Sequence, residues 1–251
     1  MCELFGLSSD RKVRVNEILK TFFEDGNIHS HGWGIASWHA DNKVSLIKEP
    51  ENALRSALLK DIMSEDMSYN GVIAHMRRAT IGDIEYNNTH PFMGEDSLGR
   101  TVVMVHNGTI FDSPELNEYQ YIQKGTTDSE RIFLYILDRF GDHKSHEERF
   151  EFLNDTVIRL SENNKLNLLL FDGEYMYVHK NEAQTLYVKE TEGCAIFSTR
   201  PLNETGWEEI PLDRLLVYRN GQKVYEGTTH DHTYVFNEEQ MQMLYMSYSG
   251  L

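Results

Sequence analysis

Apolar runs of strand length occur in both halves of the chain, and the clearest helical pattern lies between them. The runs GVIAHMRRA (71–79) and TVVMVHNGT (101–109) are rich in β-branched residues and end in polar residues and a glycine. Segment 127–140 has Thr127 and Glu130 at capping-box spacing and a continuous apolar face. Strand-like runs return in the last third of the chain. Strands at both ends with helices between them predict an α+β architecture, with two sheets and helices outside them.

Shorter patterns complete this prediction. Asp172-Gly173 predicts the turn of a β-hairpin, and neither a flexible linker nor an internal repeat divides the sequence. We therefore expect one domain over residues 1–251. The remaining patterns predict helices at 14–24, 52–63 and 146–162, and strands at 32–40, 43–49, 167–180, 185–190, 194–200 and 214–226.

The charge balance disfavours several classes of partner. The chain has 24 basic and 40 acidic side chains, a formal net charge of −16, and no basic patch along its length, which disfavours nucleic acid and anionic membrane surfaces. No secretory signal or membrane-spanning run is recognisable. Cys2 and Cys194 are the two cysteines, so a disulfide framework is not expected and the cytoplasm is the simplest compartment.

Cys2 follows directly after the initiator methionine and allows two interpretations. Removal of Met1 would leave a thiol and a free α-amino group on one residue. An α-amino group has an ordinary pKa of about 7.7–8.0, so it can act as a base near neutral pH. The alternative is a buried strand cysteine, because free cysteine is among the most buried residue types. Taken alone, Cys2 favours the structural alternative.

Three other positions have side chains suited to binding or catalysis, each with a structural alternative. Arg77 follows a strand and could clamp a carboxylate, or be a surface arginine like Arg78 beside it. The amide of Asn107 and the N–H of Gly108 could face an oxyanion, or form an Asn-Gly turn. Asp128 could hold a substrate ammonium group, or favour the dipole of its helix. None of these positions decides the function by itself.

Common hydrolase and metal motifs are missing from the sequence. It contains no G-x-S-x-G elbow, phosphate-binding glycine loop, H-E-x-x-H or C-x-x-C. The pairs His29/His31 and His230/His232 could bind a metal on one strand face, but spacing of two residues favours ordinary surface histidines.

Taken together and in order, these segments resemble the glutaminase domain of the class-II glutamine amidotransferases, within the N-terminal-nucleophile hydrolase superfamily. The ending FSTRPLNE…W…IPLDRLLVYRNGQKV resembles the short, stand-alone branch of that family. The matching segments are Met-Cys2-Glu-Leu-Phe-Gly6, His31-Gly-Trp-Gly-Ile35, Ala74-His-Met-Arg-Arg-Ala-Thr80 with Gly82, Asn88-Thr-His-Pro91, Val105-His-Asn-Gly108 and Thr127-Asp-Ser-Glu130.

The resemblance implies a four-layer αββα sandwich with the active site at one end of the two sheets. It also implies hydrolysis of a γ-glutamyl amide through a thioester, without a metal or organic cofactor. The roles carried over are Cys2 as nucleophile with its α-amino group as base, Arg77, Thr80 and Asp128 as substrate-binding residues, Asn107 and Gly108 as the oxyanion hole, and His31, Trp33 and His90 as lining of the site.

Two departures concern the loop over the substrate. Synthase-type relatives commonly have tryptophan and histidine where this chain has Arg78 and Ile81. Glutamine is the default substrate, and a γ-glutamyl peptide or thiol is the alternative because the amino-acid head is the same. Transfer of ammonia would require an acceptor-bearing partner protein. The remaining alternative is a catalytically silent protein that binds a γ-glutamyl ligand.

Overall fold

Two antiparallel β-sheets face each other in the computed structural model, which describes residues 2–202 and 205–249. Within those residues, the seven strands of the first sheet are β1 (Glu3–Arg14), β2 (Trp33–Trp38), β3 (Val44–Glu49), β4 (Ser68–Met76), β9 (Tyr187–Thr191), β10 (Cys194–Ser198) and β11 (Glu208–Glu209). The six strands of the second sheet are β5 (Phe92–Glu95), β6 (Thr101–His106), β7 (Leu168–Phe171), β8 (Met176–His179), β12 (Leu216–Arg219) and β13 (Gln222–Glu226).

The strand order places the amino-terminal strand inside its sheet. The order is β11-β9-β10-β1-β4-β2-β3 in the first sheet and β13-β12-β8-β7-β6-β5 in the second. Strand β1 is paired with β4 from Glu3 onward and with β10 from Phe5 onward. The described helices are α1 (Asn16–Phe23), α2 (Ala57–Ser64), α3 (Asp128–Phe140), α4 (His146–Ser161) and α5 (Glu238–Ser249), with 3-10 turns at Glu24–Asn27, Tyr86–Asn88 and Pro114–Tyr121.

Three hydrophobic cores separate four layers. Leu4, Val103 and Leu169 belong to the core between the sheets, where Trp38 also stacks on Phe171 with ring centroids 3.9 Å apart. A second core packs α1 and α2 on the outer face of the seven-stranded sheet, and a third packs α3 and α4 on the outer face of the six-stranded sheet. The burial of each large apolar side chain contributes about 1.5–3 kcal/mol. The predicted α+β, four-layer αββα architecture is confirmed.

Element boundaries differ from the predicted ones where side chains cap helices or the chain leaves a sheet. Helix α3 begins one residue later than predicted because the Thr127 hydroxyl accepts the Glu130 N–H as an N-cap. Helix α2 begins at Ala57 because Ser56 caps it in the same way. Strand β4 ends at Met76, and the residues after it form a loop instead of continuing the predicted strand. Strands β5 and β11 and helix α5 had no strong periodicity and were not predicted.

The expectation that the paired histidines are surface residues was wrong for two of them. His29 and His230 are buried. The Nε2 of His230 lies 3.1 Å from Nε2 of His179, a histidine of β8 that is distant in sequence. The spacing of two residues therefore does not place these histidines on an exposed strand face.

Candidate active site

Cys2 lies at the start of β1, next to the loop that follows β4. The antiparallel pairing of Glu3 with Met76 brings Cys2 beside the residues that follow Met76. Its Sγ accepts the Arg78 N–H at 3.4 Å and donates to the Arg78 carbonyl at 3.6 Å. The thiol therefore contacts the main chain of Arg78, whose side chain is exposed.

The surroundings of the thiol act on its pKa in opposite directions. Burial raises the pKa of Cys2, while the Arg78 N–H and the charges of Arg77 and Lys165 act to lower it. Burial is the larger effect, so the thiol is the favoured form near neutral pH. A nucleophilic role consequently needs a base that takes the proton.

A small cleft lies beside Cys2, with a cavity volume of about 30 Å³. Residues from five separate segments meet in it, because the start of β1, the ends of β4 and β6, the segment before β5 and the start of α3 lie together. Its lining comprises Cys2, Arg77, Arg78, Ala79, Thr80, Ile81, His90, His106, Gly108, Thr109, Thr127, Asp128 and Ser129.

The Arg77 guanidinium is buried and already holds the loop after β4. It donates to the carbonyl oxygens of Asp83 at 2.7 Å, Ile81 at 2.8 Å and Gly82 at 3.0 Å. A guanidinium has five N–H donors, so these bonds leave two without a loop partner. Burial lowers the pKa of Arg77, and the neighbouring Cys2 and Asp128 oppose that shift. Arg77 thus provides a positive charge to the cleft while it also supports the loop.

Asp128 is fixed at the first turn of α3 by two main-chain donors. Its Oδ2 accepts the Ile110 N–H at 2.8 Å, and its Oδ1 accepts the Ser129 N–H at 2.8 Å. Each carboxylate oxygen keeps further acceptor capacity. The carboxylate is therefore oriented and can still accept from an ammonium group in the cleft.

The Asn107-Gly108 segment follows β6 and passes very close to a neighbouring chain segment. The Asn107 N–H donates to the Asn167 carbonyl at 2.8 Å. A Cβ at position 108 would lie 2.0 Å from the Lys165 carbonyl oxygen, so only glycine fits there. Within residues 2–202 and 205–249, neither the Asn107 side chain nor the Gly108 N–H makes a hydrogen bond. Gly108 lines the cleft, and Asn107 is adjacent to it without being part of the lining.

Thr80 and His31 occupy different positions relative to the cleft. Thr80 lines it directly. The Nδ1 of His31 instead accepts the Ala79 N–H at 2.9 Å, and the His31 N–H donates to the Arg77 carbonyl at 3.0 Å. Burial, aided by the nearby arginines, lowers the pKa of His31 and keeps the ring neutral. His31 therefore supports the loop from behind and is outside the lining.

Of the other two residues predicted to line the site, one does so. His90 lines the cleft and stacks on His75 with ring centroids 4.2 Å apart. Burial holds its pKa well below 6.5. The prediction for Trp33 was wrong: its side chain is fully buried in the outer core beside α1, 6.1 Å from the Phe23 ring. Alternation along β2 directs it away from the cleft.

His106 and Ser129 line the cleft but were not predicted as site residues. The Nε2 of His106 lies 3.4 Å from the Lys165 carbonyl, which can only accept, and Nδ1 lies 2.9 Å from Ser129 Oγ. Ser129 Oγ also lies 3.4 Å from Asp128 Oδ1, so the hydroxyl connects the Asp128 carboxylate to the neutral form of the His106 ring. Burial lowers the pKa of His106, which is consistent with this neutral form. Their adjacency to Asn107 and Asp128 was the available sequence signal.

Two features are absent from the described part of the chain. No group of three or more His, Cys, Asp or Glu side chains there could hold a metal ion. No helix there has the length and apolarity needed to cross a bilayer.

Comparison with known proteins identifies the family from the sequence. The family model for class-II glutamine amidotransferases matches residues 1–191. An uncharacterized protein of Methanocaldococcus jannaschii is 30% identical over 258 residues, covering 90% of this chain and 72% of the relative.

Solved structures support the fold. The glutamine phosphoribosylpyrophosphate amidotransferase of B. subtilis superposes with a TM-score of 0.67 and 16% identity over 89% of this chain, which spans 48% of that longer protein. A glutamine aminotransferase class-II domain protein from Silicibacter pomeroyi superposes with a TM-score of 0.61 and 19% identity, over 92% of this chain and all of the other. By its matched sequence, the chain belongs to the class-II glutamine amidotransferases.

Proposed function

We propose that the protein hydrolyses the γ-amide bond of a γ-glutamyl substrate, with glutamine as the default, through a γ-glutamyl thioester on Cys2. One observation carries the proposal: a single cleft contains a thiol, a buried cation, an oriented carboxylate and a glycine N–H without a partner among the described residues. An amino-acid head and a reacting carbonyl need this combination of groups.

Nucleophilic attack requires the α-amino group of a processed amino terminus. Met1, whose removal we expect, lies outside the described residues. With Met1 removed, the α-amino group takes the proton of the Cys2 thiol, and the sulfur attacks the γ-carbonyl carbon. The resulting α-ammonium group returns the proton to the leaving nitrogen as the C–N bond breaks. Water then attacks the thioester, the α-amino group accepts its proton, and glutamate leaves with the thiol restored.

Recognition of the amino-acid head is assigned to Arg77, Asp128 and Thr80. The Arg77 charge would bind the α-carboxylate through the donors that the loop carbonyls leave over. The Asp128 carboxylate, held by Ile110 and Ser129, would accept the α-ammonium group. Thr80, which lines the cleft, would shape the same pocket.

The oxyanion of the tetrahedral intermediate is assigned to Asn107 and Gly108. Both groups lack a hydrogen-bond partner among the described residues, so they are available as donors without losing an existing bond. Removing one such donor typically costs about 100- to 1,000-fold in kcat. His106, neutral and held by Ser129, would support this segment from beside the cleft.

Arg78 favours a second class of substrate, the γ-glutamyl peptides. The residue lines the cleft, and its side chain is exposed and forms no ion pair within the described residues. A leaving group with a carboxylate, as in a γ-glutamyl peptide, would find a complementary charge there. An exposed pair of this kind contributes about 0.2–1 kcal/mol, which is about a 1.4- to five-fold preference.

Whether the released ammonia is transferred depends on whether a partner protein is present. If ammonia is transferred, the acceptor site would belong to a partner protein, and without such a partner the chain would be a plain glutaminase. The low cysteine content supports a cytoplasmic location. A catalytically silent protein would retain the ligand-binding groups without needing a processed Cys2.

Glutamate release tests the proposal. Protein with Met1 removed would be assayed with glutamine, glutathione, γ-glutamylcysteine and other γ-glutamyl amides, with Cys2→Ala as the control. We expect release from at least one substrate and none from the control. A loss of preference for carboxylate-bearing substrates in Arg78→Ala would identify the second class. Tight binding of γ-glutamyl compounds without any release would instead support the silent protein.

A further inference from the structure

A threonine that is distant in sequence completes the hydrogen bonding at the start of β1. Phe5 and Ser198 form the last pair of the β1–β10 ladder. One step further, the Thr199 N–H donates to the Leu4 carbonyl at 3.1 Å, and the Leu4 N–H donates to Thr199 Oγ1 at 3.4 Å. In a regular antiparallel pair both acceptors would be carbonyl oxygens. The threonine hydroxyl replaces one of them.

Glu3 fixes the orientation of that hydroxyl. The Thr199 hydroxyl donates its proton to the Glu3 carboxylate, which leaves its lone pairs for the Leu4 N–H. The same carboxylate lies 3.5 Å from His29 Nε2 and 3.8 Å from Arg200 Nε. Burial raises the pKa of Glu3, while the Thr199 hydrogen bond and the Arg200 charge oppose that shift.

Arg200 connects this group to the outer helix layer. Its Nε lies 2.8 Å from Asp25 Oδ2, and its Nη2 donates to the Thr21 carbonyl at 3.1 Å. Glu3 and Thr199 are therefore held by elements that do not line the cleft.

Cys2 is the residue that the hydrogen bonds of Thr199 and Glu3 would affect most. It directly precedes Glu3, and its thiol is held on the other side through the long contacts with the Arg78 main chain. The direction of the chain at Glu3 and Leu4 consequently sets where the sulfur points. Thr199 and Arg200 lie beyond residues 1–191, the part that the family model matches.

We propose that Thr199 is a positioning residue for the nucleophile, acting through its hydroxyl contacts with Leu4 and Glu3 to hold Cys2 over the cleft. The effect on turnover rests on the proposed function. The effect on the reactivity of the thiol does not, so the two can fail separately.

The test compares Thr199→Val, which lacks the hydroxyl, with Thr199→Ser, which keeps it. Thr191→Val is the matched control, because Thr191 is an exposed threonine on the neighbouring strand β9. The rate of Cys2 alkylation by iodoacetamide is followed across pH by peptide mass spectrometry, together with kcat and KM for the best γ-glutamyl substrate. Near-UV circular dichroism verifies that each variant is folded.

In Thr199→Val we expect the alkylation midpoint to move to lower pH, because a loosened strand start exposes the thiol. We expect kcat to fall about ten- to 100-fold with KM within about two-fold, since displacement of a reacting group by about 1 Å can cost about 100-fold. Thr199→Ser and Thr191→Val should both match the wild type. The KM-against-kcat split separates loss of positioning from loss of substrate binding.

An unchanged alkylation profile in folded Thr199→Val would overturn the proposal, whatever its activity. If Thr199→Val does not fold, Glu3→Met and Glu3→Gln replace it: Met removes the acceptor of the Thr199 hydroxyl, and Gln keeps one. Equal alkylation profiles in those two variants would also overturn it. If the wild type releases no glutamate from any substrate, the proposed function fails, and the alkylation comparison still decides this proposal.

Discussion

The thiol of Cys2 lies between the N–H and the carbonyl of Arg78, at 3.4 and 3.6 Å. The contact uses only the main chain of Arg78, so the position of the sulfur does not depend on which side chain follows Arg77. Strand pairing between β1 and β4 thus brings the cysteine to the loop, while the side chain at position 78 remains free to contact a substrate.

The charge of Arg77 should be detectable in the titration of Cys2. Burial raises the thiol pKa and the Arg77 charge lowers it, so Arg77→Met should raise the pKa further. We expect the pH midpoint of Cys2 alkylation to move upward relative to the wild type in the same amino-terminal state. Arg11→Met, at the exposed far end of β1, should leave the midpoint unchanged. A downward shift in Arg77→Met would contradict this account of the electrostatics.

Removing the Asn107 amide should lower turnover more than binding. We expect Asn107→Ala to reduce kcat about 100- to 1,000-fold with little change in KM, because the donor acts on the charge that develops during the reaction. Steady-state glutamate release measures both constants. Asn117→Ala, an exposed asparagine on the 3-10 turn Pro114–Tyr121, is the control. A rise in KM alone would assign Asn107 to ground-state binding instead.

Neutralising Asp128 should weaken recognition of the α-ammonium group. Asp128→Asn keeps an oxygen for the Ile110 N–H but loses the charge, so kcat/KM should fall about ten- to 100-fold, the effect of about 1.5–3 kcal/mol for a hydrogen bond to a charged group. The loss should disappear when a substrate without the α-amino group is compared. Asp142→Asn, at an exposed position after α3, provides the comparison. Equal losses with both substrates would exclude ammonium binding by Asp128.

The core between the two sheets should dominate stability. Leu169 is fully buried in it, and Leu169→Ala should lower the free energy of unfolding by about 2–5 kcal/mol. Urea titration followed by tryptophan fluorescence gives the value. Leu98→Ala, at a position 52% exposed, should change it by less than about 0.5 kcal/mol. Similar losses in both variants would mean that the sheets are not held mainly by this core.

Local sequence patterns were sufficient to predict much of the fold. The apolar face of 127–140 and its Thr127 cap predicted α3 within one residue, and Asp172-Gly173 marked the hairpin of β7 and β8. These features depend on neighbouring residues along the chain, where backbone geometry fixes which side chains share a face. Strand β5 and helix α5 lack such periodicity, so nothing local marked them.

The candidate site, like the fold, has some features that the sequence indicates and others that only the tertiary structure shows. The sequence by itself determined that a cysteine next to Met1, an Asn-Gly segment after a buried strand and an acidic residue at a helix start are all present, together with their resemblance to one family. Only the tertiary structure decided that the Trp33 side chain is buried in the outer core and that the Arg77 guanidinium donates to three loop carbonyls. It also decided that Thr199 forms hydrogen bonds with Leu4, 195 residues away in the sequence. Contacts of that kind depend on strand order and register, which bring distant residues together and are not encoded in any short stretch of the chain.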